Sequence, residues 1–230
     1  MKISLIFLLT FSYGCVILKK LSGFRQEGAP LASGKFSDNP NAQNDWKKSI
    51  IAYLHDLFYM LMAIMLVFLL FFRVIVVSGD SMYATLLDGD YLLLLGNLFY
   101  QEPQRNDIVV ISKKSFDNGK PIVKRVIATE GQTVDIDFDN AIVYVDGTAL
   151  DEPYINSPTN FNEGNVFPLT VAEDCIFVLG DNRGVSRDSR DPIIGQVDKR
   201  EVLGKALFLM LPGTSHGNLP RDMGRMGVVK

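Results

Sequence analysis

The sequence predicts a mainly β protein, in which an antiparallel β-sheet domain is tethered by one or two N-terminal transmembrane helices. The run from Leu57 to Val77 is apolar except for Arg73 and is near the length that crosses a bilayer as a helix. Beyond Thr85 the chain changes to short segments rich in β-branched and aliphatic residues, which are separated by turn signals such as Asp146-Gly147. No amphipathic stretch of helical length follows Val77, so the domain after the membrane segment is predicted to be built from strands.

The N-terminal part of the chain divides into two membrane segments and a loop. Residues 1–18 are mostly apolar and are predicted to form a first transmembrane helix, with a cleavable signal segment as the alternative. Residues 19–49 contain six Lys and Arg residues, so the positive-inside rule places this loop in the cytoplasm. Residues 50–77 form the second transmembrane helix and residues 78–230 the extracytoplasmic domain. We therefore expect a multi-pass protein of the plasma or inner membrane, in contact with lipid.

Seven strands are predicted in the extracytoplasmic domain from their composition and from the turns that bound them. They are Tyr91 to Leu95, Asp107 to Ser112, Ile122 to Ala128, Thr133 to Phe138, Ala141 to Val145, Cys175 to Leu179 and Val202 to Leu211. The segments Asn156 to Asn165 and Pro212 to Lys230 are predicted to be loop or tail, since they are rich in turn-forming residues.

Composition excludes several classes of function. The 230-residue chain has a net charge of −3, so there is no broad basic surface for nucleic acid, and no nucleic-acid partner is expected. Two cysteines are too few for a disulfide framework, and Cys15 and Cys175 are interpreted as unpaired apolar side chains. We expect neither a cofactor nor a metal ion.

A serine at the exit of the apolar run, Ser81, is the first candidate for chemistry. A serine hydroxyl needs a base to remove its proton, but His55 lies at the inner end of the helix and His216 in a Gly- and Pro-containing tail. Lysine is the alternative base when burial keeps it neutral, and Lys124 lies in a largely apolar segment. Spacing alone leaves open that residues 78–85 are only an exit loop and that Lys124 is exposed.

A polar loop follows the strand that ends at Leu179. Eight of the eleven residues from Gly180 to Arg190 are polar or charged. Such a segment is either a solvated turn or a loop whose short side chains brace a site.

These segments carry a family resemblance. Ser78-Gly-Asp-Ser-Met-Tyr-Ala-Thr-Leu86, Asn106-Asp-Ile-Val-Val110, Lys124-Arg-Val-Ile127 and Gly180-Asp-Asn-Arg-Gly-Val-Ser-Arg-Asp-Ser-Arg190 resemble, in order, the sequence motifs of the bacterial type I signal peptidases. The resemblance runs from about Val74 to Ala206. It implies a membrane-bound serine endopeptidase that removes signal peptides from exported precursor proteins, cutting after a small-x-small motif.

The resemblance also implies roles for individual residues. Ser81 would be the nucleophile and Lys124 the general base. The backbone N–H of Ser81 would serve the oxyanion hole, while Gly79 stands where some relatives add a serine hydroxyl to it. Supporting roles would fall to Ser186, which would hydrogen-bond the lysine, to an Asp188–Arg190 ion pair, and to Asp181 and Arg183, which would brace the loop.

Substrate pockets are a further expectation. We expect the substrate to lie extended beside a strand, with small side chains entering shallow pockets. The residues expected to wall those pockets are Val76, Val77, Ile122 and Val123.

The chain also departs from the family pattern, which keeps alternatives open. Residues that differ from the usual ones are Ala84 for proline, Asn106 and Ala128 for glycine, Glu130 for proline and Gln132 for aspartate. One alternative is a specialised relative that serves a pilus or conjugation system and cuts one dedicated substrate. Another is a catalytically dead homologue that only binds signal sequences, against which the retention of Ser81, Lys124 and Ser186 argues.

Overall fold

The computed structural model describes residues 42–214 and 221–229, with side chains from residue 48 onward. The predicted first transmembrane segment, Cys15, most of the cytoplasmic loop and His216 lie outside the described residues. The chain divides into two compact units, residues 1–54 and 55–230. Of the first unit the description covers only the beginning of a helix, and the second contains all the strands described below.

A long apolar helix, α1, runs from Ala42 to Phe71. Its side chains from Lys48 are almost all exposed although most of them are Leu, Ile, Met, Val and Phe. A helix that is apolar on all sides is suited to a lipid environment rather than to one packed face. Among the described residues it is the one helix, over Lys48–Phe71, long and apolar enough to cross a membrane.

Helix α1 has different ends from the predicted helix of residues 50–77, but its stretch that is long and apolar enough to cross a membrane, Lys48–Phe71, begins within two residues of the predicted start. Helix α1 begins eight residues earlier, at Ala42, and stops at Phe71, where strand β1 (Phe72–Val76) begins. Three residues of this strand, Val74, Ile75 and Val76, are β-branched, and the strand pairs in antiparallel register with the next strand instead of continuing the helix. Arg73 therefore lies in a strand and not inside the apolar helix.

Within the described residues the strands form two antiparallel sheets. Besides β1, the larger sheet contains β2 (Tyr91–Gly96), β3 (Ile108–Ile111), β4 (Ile122–Thr129), β9 (Cys175–Leu179), β10 (Val197–Asp198), β11 (Val202–Leu211) and β12 (Gly227–Val228). Its order is β1-β2-β11-β3-β4-β9-β10, with β12 also pairing with β11. The smaller sheet has the order β7-β6-β5-β8 and contains β5 (Thr133–Asp137), β6 (Ile142–Val145), β7 (Thr148–Ala149) and β8 (Leu169–Thr170).

All seven predicted strands are present, with ends shifted by no more than one residue. The strands that were not predicted are β1, whose residues were assigned to the helix, and the two-residue strands β7, β8, β10 and β12. A two-residue strand is defined by its hydrogen-bonding partner and leaves no periodic signal in the sequence.

The predicted C-terminal tail is in part ordered structure. Residues Met223–Arg225 form a 3-10 turn, and β12 pairs with β11. The Arg225 guanidinium donates to both carboxylate oxygens of buried Asp90, at 3.0 and 2.9 Å, and to the carbonyl oxygen of Thr85 at 3.3 Å. The end of the chain therefore contacts the turn that follows Ser81.

Candidate active site

A cleft of about 860 Å³ opens on the surface of the β domain, and Ser81 and Lys124 both line it. The cleft lies where the turn after β1, the strand β4 and the loop after β9 meet. Its other lining residues are Ser78, Gly79, Asp80, Tyr83, Phe116, Ile122, Asn156, Asn182, Val185 and Arg187.

The turn that contains Ser81 packs against the hydrophobic core. Met82 is fully buried, and its carbonyl oxygen accepts a hydrogen bond from the Leu86 N–H at 2.8 Å. Gly79 adopts a φ of 90°, a left-handed conformation that glycine allows, and its N–H donates to Asp88. One end of the turn is therefore fixed by packing and the other by a backbone shape that excludes most side chains.

Asn182 holds the backbone of the turn that contains Ser81 from the opposite side. Its backbone N–H donates to the Ser81 carbonyl oxygen at 3.0 Å, and its side-chain amide donates to the Asp80 carbonyl oxygen at 3.1 Å. Among the described residues no group accepts a hydrogen bond from the Ser81 N–H, so this N–H is available for a substrate oxygen.

Lys124 reaches Ser81 from the middle of β4. Its Nζ lies 2.7 Å from the Ser81 Oγ, and the lysine is only 2% exposed. Burial lowers the pKa of the Lys124 ammonium to about 8, because the charged form loses its hydration. Asp188, Glu163 and Asp181 act in the opposite direction, since each carboxylate favours the ammonium form.

The predicted Asp188–Arg190 ion pair is present and fully buried. The Arg190 Nε donates to one Asp188 oxygen at 2.8 Å and its Nη2 to the other at 2.9 Å. The second oxygen also accepts from the Gly180 N–H at 3.1 Å. This pair closes the loop after β9 into a compact turn.

Asp181 and Arg183 both brace the site but do not pair with each other. Asp181 accepts from the Nε and Nη2 of Arg125, at 2.8 and 2.7 Å, and from the Thr85 hydroxyl at 2.5 Å. Arg183 instead forms an ion pair with Glu152 at 2.5 Å. The Arg125–Asp181 pair thus joins the residue after Lys124 to the turn that contains Ser81.

The expected hydrogen bond from Ser186 to Lys124 is not formed. Ser186 is 2% exposed, and among the described residues its Oγ has no hydrogen-bond partner. The side chain packs against Gly180, where an added Cβ would come within 2.1 Å of the Ser186 Oγ. The hydroxyl is therefore held by packing and not by the lysine.

The four predicted substrate-binding residues come together beside Ser81. Val76, Val77, Ile122 and Val123 line one pocket of about 290 Å³, together with Ile75, Ser78, Ser81, Lys120 and Pro121. The end of β1 forms one wall and the start of β4 the other. This arrangement provides an apolar recess directly next to the Ser81 hydroxyl.

Sequence reasoning assigned no role to Asn182, Arg125 or Thr85. A usable signal existed for Arg125, because a charged residue inside the apolar segment of β4 must find a buried partner. No comparable signal marked Asn182 or Thr85, since short polar residues are common in turns. Within the described residues no group of three His, Cys, Asp or Glu side chains is placed to hold a metal ion.

Comparison with known proteins identifies the family of the chain. The family model for signal peptidases, peptidase S26, matches residues 50–211. The chain belongs to this family. It is 32% identical over 193 residues to the signal peptidase I of Bacillus licheniformis, covering 79% of this chain and 96% of that one. Over 150 residues it is 36% identical to the probable signal peptidase I-1 of Synechocystis sp., covering 62% and 73%.

A solved signal peptidase I, from Enterococcus faecalis V583, is also similar. It shares 36% identity and has a TM-score of 0.37, covering 45% of this chain and 96% of that one. As a member of the signal peptidase family, the protein is a serine endopeptidase that removes signal peptides from precursor proteins.

The departures from the signal peptidase pattern are accommodated by their surroundings. Asn106 has a φ of 74°, a conformation that asparagine tolerates better than other non-glycine residues. Ala128 is fully buried at a register shift between β4 and β9. Glu130 forms an ion pair with Lys199 at 2.9 Å, and the Gln132 side chain accepts from the Thr129 N–H. Ala84 is exposed, and the Tyr83–Ala84 peptide bond is cis.

Proposed function

We propose that the protein cleaves signal peptides by a Ser-Lys dyad mechanism, with Ser81 as nucleophile and Lys124 as general base. The observation that carries this proposal is the 2.7 Å contact between the Ser81 Oγ and a buried lysine Nζ. With a pKa lowered to about 8, a useful fraction of Lys124 is neutral at physiological pH and can accept a proton. A solvated lysine, with a pKa of about 10.4, would be almost entirely protonated.

The chemical steps follow from these two atoms. Neutral Lys124 takes the Ser81 proton as the Oγ attacks the carbonyl carbon of the residue before the cut, and the resulting oxyanion accepts from the Ser81 N–H. The C–N bond then breaks, and the Lys124 ammonium returns the proton to the leaving amine. Water then attacks the ester left on Ser81 while Lys124 removes a proton from it, and as the acyl C–Oγ bond breaks the Lys124 ammonium returns that proton to the Ser81 Oγ.

The pocket beside Ser81 supports entry of the side chain that precedes the cut. Its volume of about 290 Å³ is bounded by the apolar side chains of Val76, Val77, Ile122 and Val123, and Ser78, Ser81 and Lys120 also line it. In the described part of the larger sheet β1 is an edge strand, paired only with β2. An extended signal peptide can therefore add beside β1 and direct alternate side chains toward the recess.

A precursor panel tests this function. The purified full-length protein should cut precursors that have alanine at the first and third residues before the cut, and mass mapping should locate each cut. The small-x-small preference that the family resemblance implies predicts that leucine at the first residue lowers kcat/KM at least about 100-fold. Equal cutting of both precursors would contradict the pocket assignment. Cutting of a single dedicated precursor would indicate the specialised relative instead.

The position of the site relative to the membrane is part of the proposal. Helix α1 ends at Phe71, and only nine residues separate it from Ser81. With Lys47 and Lys48 near the inner end of the apolar run, the site should lie at the outer surface of the membrane.

Protease protection tests this orientation. Protease added to the outer face of intact cells or spheroplasts should digest residues after Val77. Tags placed between Gly28 and Asn44 should stay intact until detergent opens the membrane. The reverse pattern would put the β domain in the cytoplasm and contradict the proposed location.

A further inference from the structure

The carboxylate of Asp90 is fully buried at the end of the turn that contains Ser81. One of its oxygens accepts a hydrogen bond from the Leu87 N–H at 2.8 Å, and the other accepts from the Gly213 N–H at 2.6 Å. The Asp90 carbonyl oxygen also accepts from the Val77 N–H at 2.8 Å, so the two ends of the turn meet at this residue. Taking a carboxylate out of water is costly unless a positive group pairs with it.

Arg225, near the end of the chain, provides such a positive group. Its Nη1 donates to one Asp90 oxygen at 3.0 Å, and its Nη2 donates to the other at 2.9 Å. Two parallel hydrogen bonds of this kind fix the orientation of a carboxylate in addition to compensating its charge. The Arg225 side chain is 21% exposed, so its position can be reached from solvent.

The same guanidinium also contacts the backbone of the turn at Thr85. The Arg225 Nη2 donates to the Thr85 carbonyl oxygen at 3.3 Å. The Thr85 hydroxyl donates to Asp181 at 2.5 Å. Asp181 pairs with Arg125, which is the neighbour of Lys124 in β4. Thr85 is therefore held at its carbonyl by the end of the chain and at its hydroxyl by the ion pair next to the lysine.

We propose that Arg225 is a positioning residue of the active site, which holds the turn that contains Ser81 in place against Lys124. Arg225 is not among the residues that line the cleft, so it acts on the turn and not on the substrate. Its two contacts lie at Thr85, four residues after Ser81, and at the end of the turn. Without them the Ser81 Oγ is no longer fixed at 2.7 Å from the Lys124 Nζ. The proposal rests on the dyad mechanism proposed above.

The test compares kcat and KM of wild type and Arg225→Ala, both as full-length protein in detergent. Both are measured at a temperature at which thermal unfolding shows that the variant is folded. The kcat should fall about 10- to 100-fold, because a small displacement of a reacting group is costly to the chemical step. KM should stay within about twofold of the wild-type value, since the residues that line the cleft are unchanged. Arg221→Ala removes an exposed arginine of the same segment and should leave both constants unchanged.

Two outcomes for Arg225→Ala would overturn the proposal. A wild-type kcat, accompanied only by a lower unfolding temperature, would show that Arg225 has a merely structural role. A raised KM with an unchanged kcat would instead place Arg225 in substrate binding.

Chemical rescue separates the lost contacts from a general loss of stability. Because the position of Arg225 can be reached from solvent, a guanidinium ion can enter the space left in Arg225→Ala and donate to Asp90 and Thr85 again. Guanidinium chloride, at a concentration too low to unfold the protein, should raise the kcat of this variant at least about threefold. Sodium chloride at the same concentration should not raise it, and neither salt should raise the kcat of wild type. Equal effects of the two salts on the variant would contradict the proposed role.

Arg225→Lys covers the case in which Arg225→Ala fails to fold. Lysine keeps the positive charge beside Asp90, but it lacks the planar fork that reaches both carboxylate oxygens and the Thr85 carbonyl oxygen together. Its kcat should be about three- to tenfold below that of wild type, with KM unchanged. A wild-type kcat would mean that charge compensation alone is needed, and it would overturn the proposal. An active Lys124→Arg variant would instead refute the dyad mechanism itself, so the two failures are distinguishable.

Discussion

Replacing Ser81 by alanine should lower kcat/KM by at least about 10⁴-fold, because removal of the nucleophile in a serine protease leaves only binding and oxyanion stabilisation. The fold should survive, since the turn is held by buried Met82 and by the hydrogen bonds from Asn182, none of which involves the Ser81 hydroxyl. Cleavage of a defined precursor by purified wild-type and variant protein measures the loss, and thermal unfolding checks the fold.

Ser115→Ala is the matched control for this change. Its exposed hydroxyl donates to the Ile193 carbonyl oxygen, and neither Ser115 nor Ile193 lines the cleft, so the activity of this variant should equal that of wild type. Retention of a tenth or more of wild-type activity by Ser81→Ala would exclude Ser81 as the nucleophile.

Replacing Lys124 by arginine should be as damaging as replacing it by alanine, although arginine keeps the positive charge. A guanidinium stays protonated at any workable pH and cannot accept the serine proton. Its larger planar head must also fit a site in which the lysine is 2% exposed. We expect both variants to lose at least about 10³-fold in kcat/KM, within the range seen when a catalytic base is removed.

Two controls separate the base from other contributions. Lys114→Arg makes the same exchange at an exposed lysine of this domain and should leave the rate unchanged. A His55→Ala, His216→Ala double variant removes both histidines of the chain and should also cleave at the wild-type rate. Strong activity in Lys124→Arg would mean that Lys124 supplies charge and not proton transfer. A large loss in the double variant would instead identify a histidine as the base.

Ser81 and Lys124 lie on two elements that are connected by a buried ion pair. Arg125, next to Lys124 in β4, pairs with Asp181, and Asp181 also accepts from Thr85 in the turn that contains Ser81. The Arg125 guanidinium also lies over the Tyr154 ring, 4.0 Å from its centroid. Because one buried carboxylate is shared by the strand and the turn, the 2.7 Å contact between Lys124 and Ser81 is held from both sides.

The long helix and most of the longer strands could be predicted from short stretches of sequence. Apolar length predicted the helix that ends at Phe71, and β-branched composition with turn signals predicted seven strands. The same local patterns could not separate the helix from β1, because the run changes from Leu and Phe to Val and Ile but stays apolar on both sides of Arg73. What ends the helix is the pairing of Phe72–Val76 with β2, and that pairing is a contact with a distant segment.

For the candidate site, too, some residues could be predicted from the sequence, whereas their contacts could be found only from the structure. Elimination of the two histidines pointed to a lysine base, and the ordered motifs named Ser81, Lys124, Asp188 and Arg190, all of which the fold brings into one region. Only the folded chain decided that Asp181 pairs with Arg125, that Ser186 leaves Lys124 without a hydrogen bond and that Glu163 faces Arg190. The physical reason is the distance along the chain over which each effect acts. Propensity and turn chemistry act over a few residues, whereas burial and the choice of charge partner depend on which side chains meet across strands far apart in the chain.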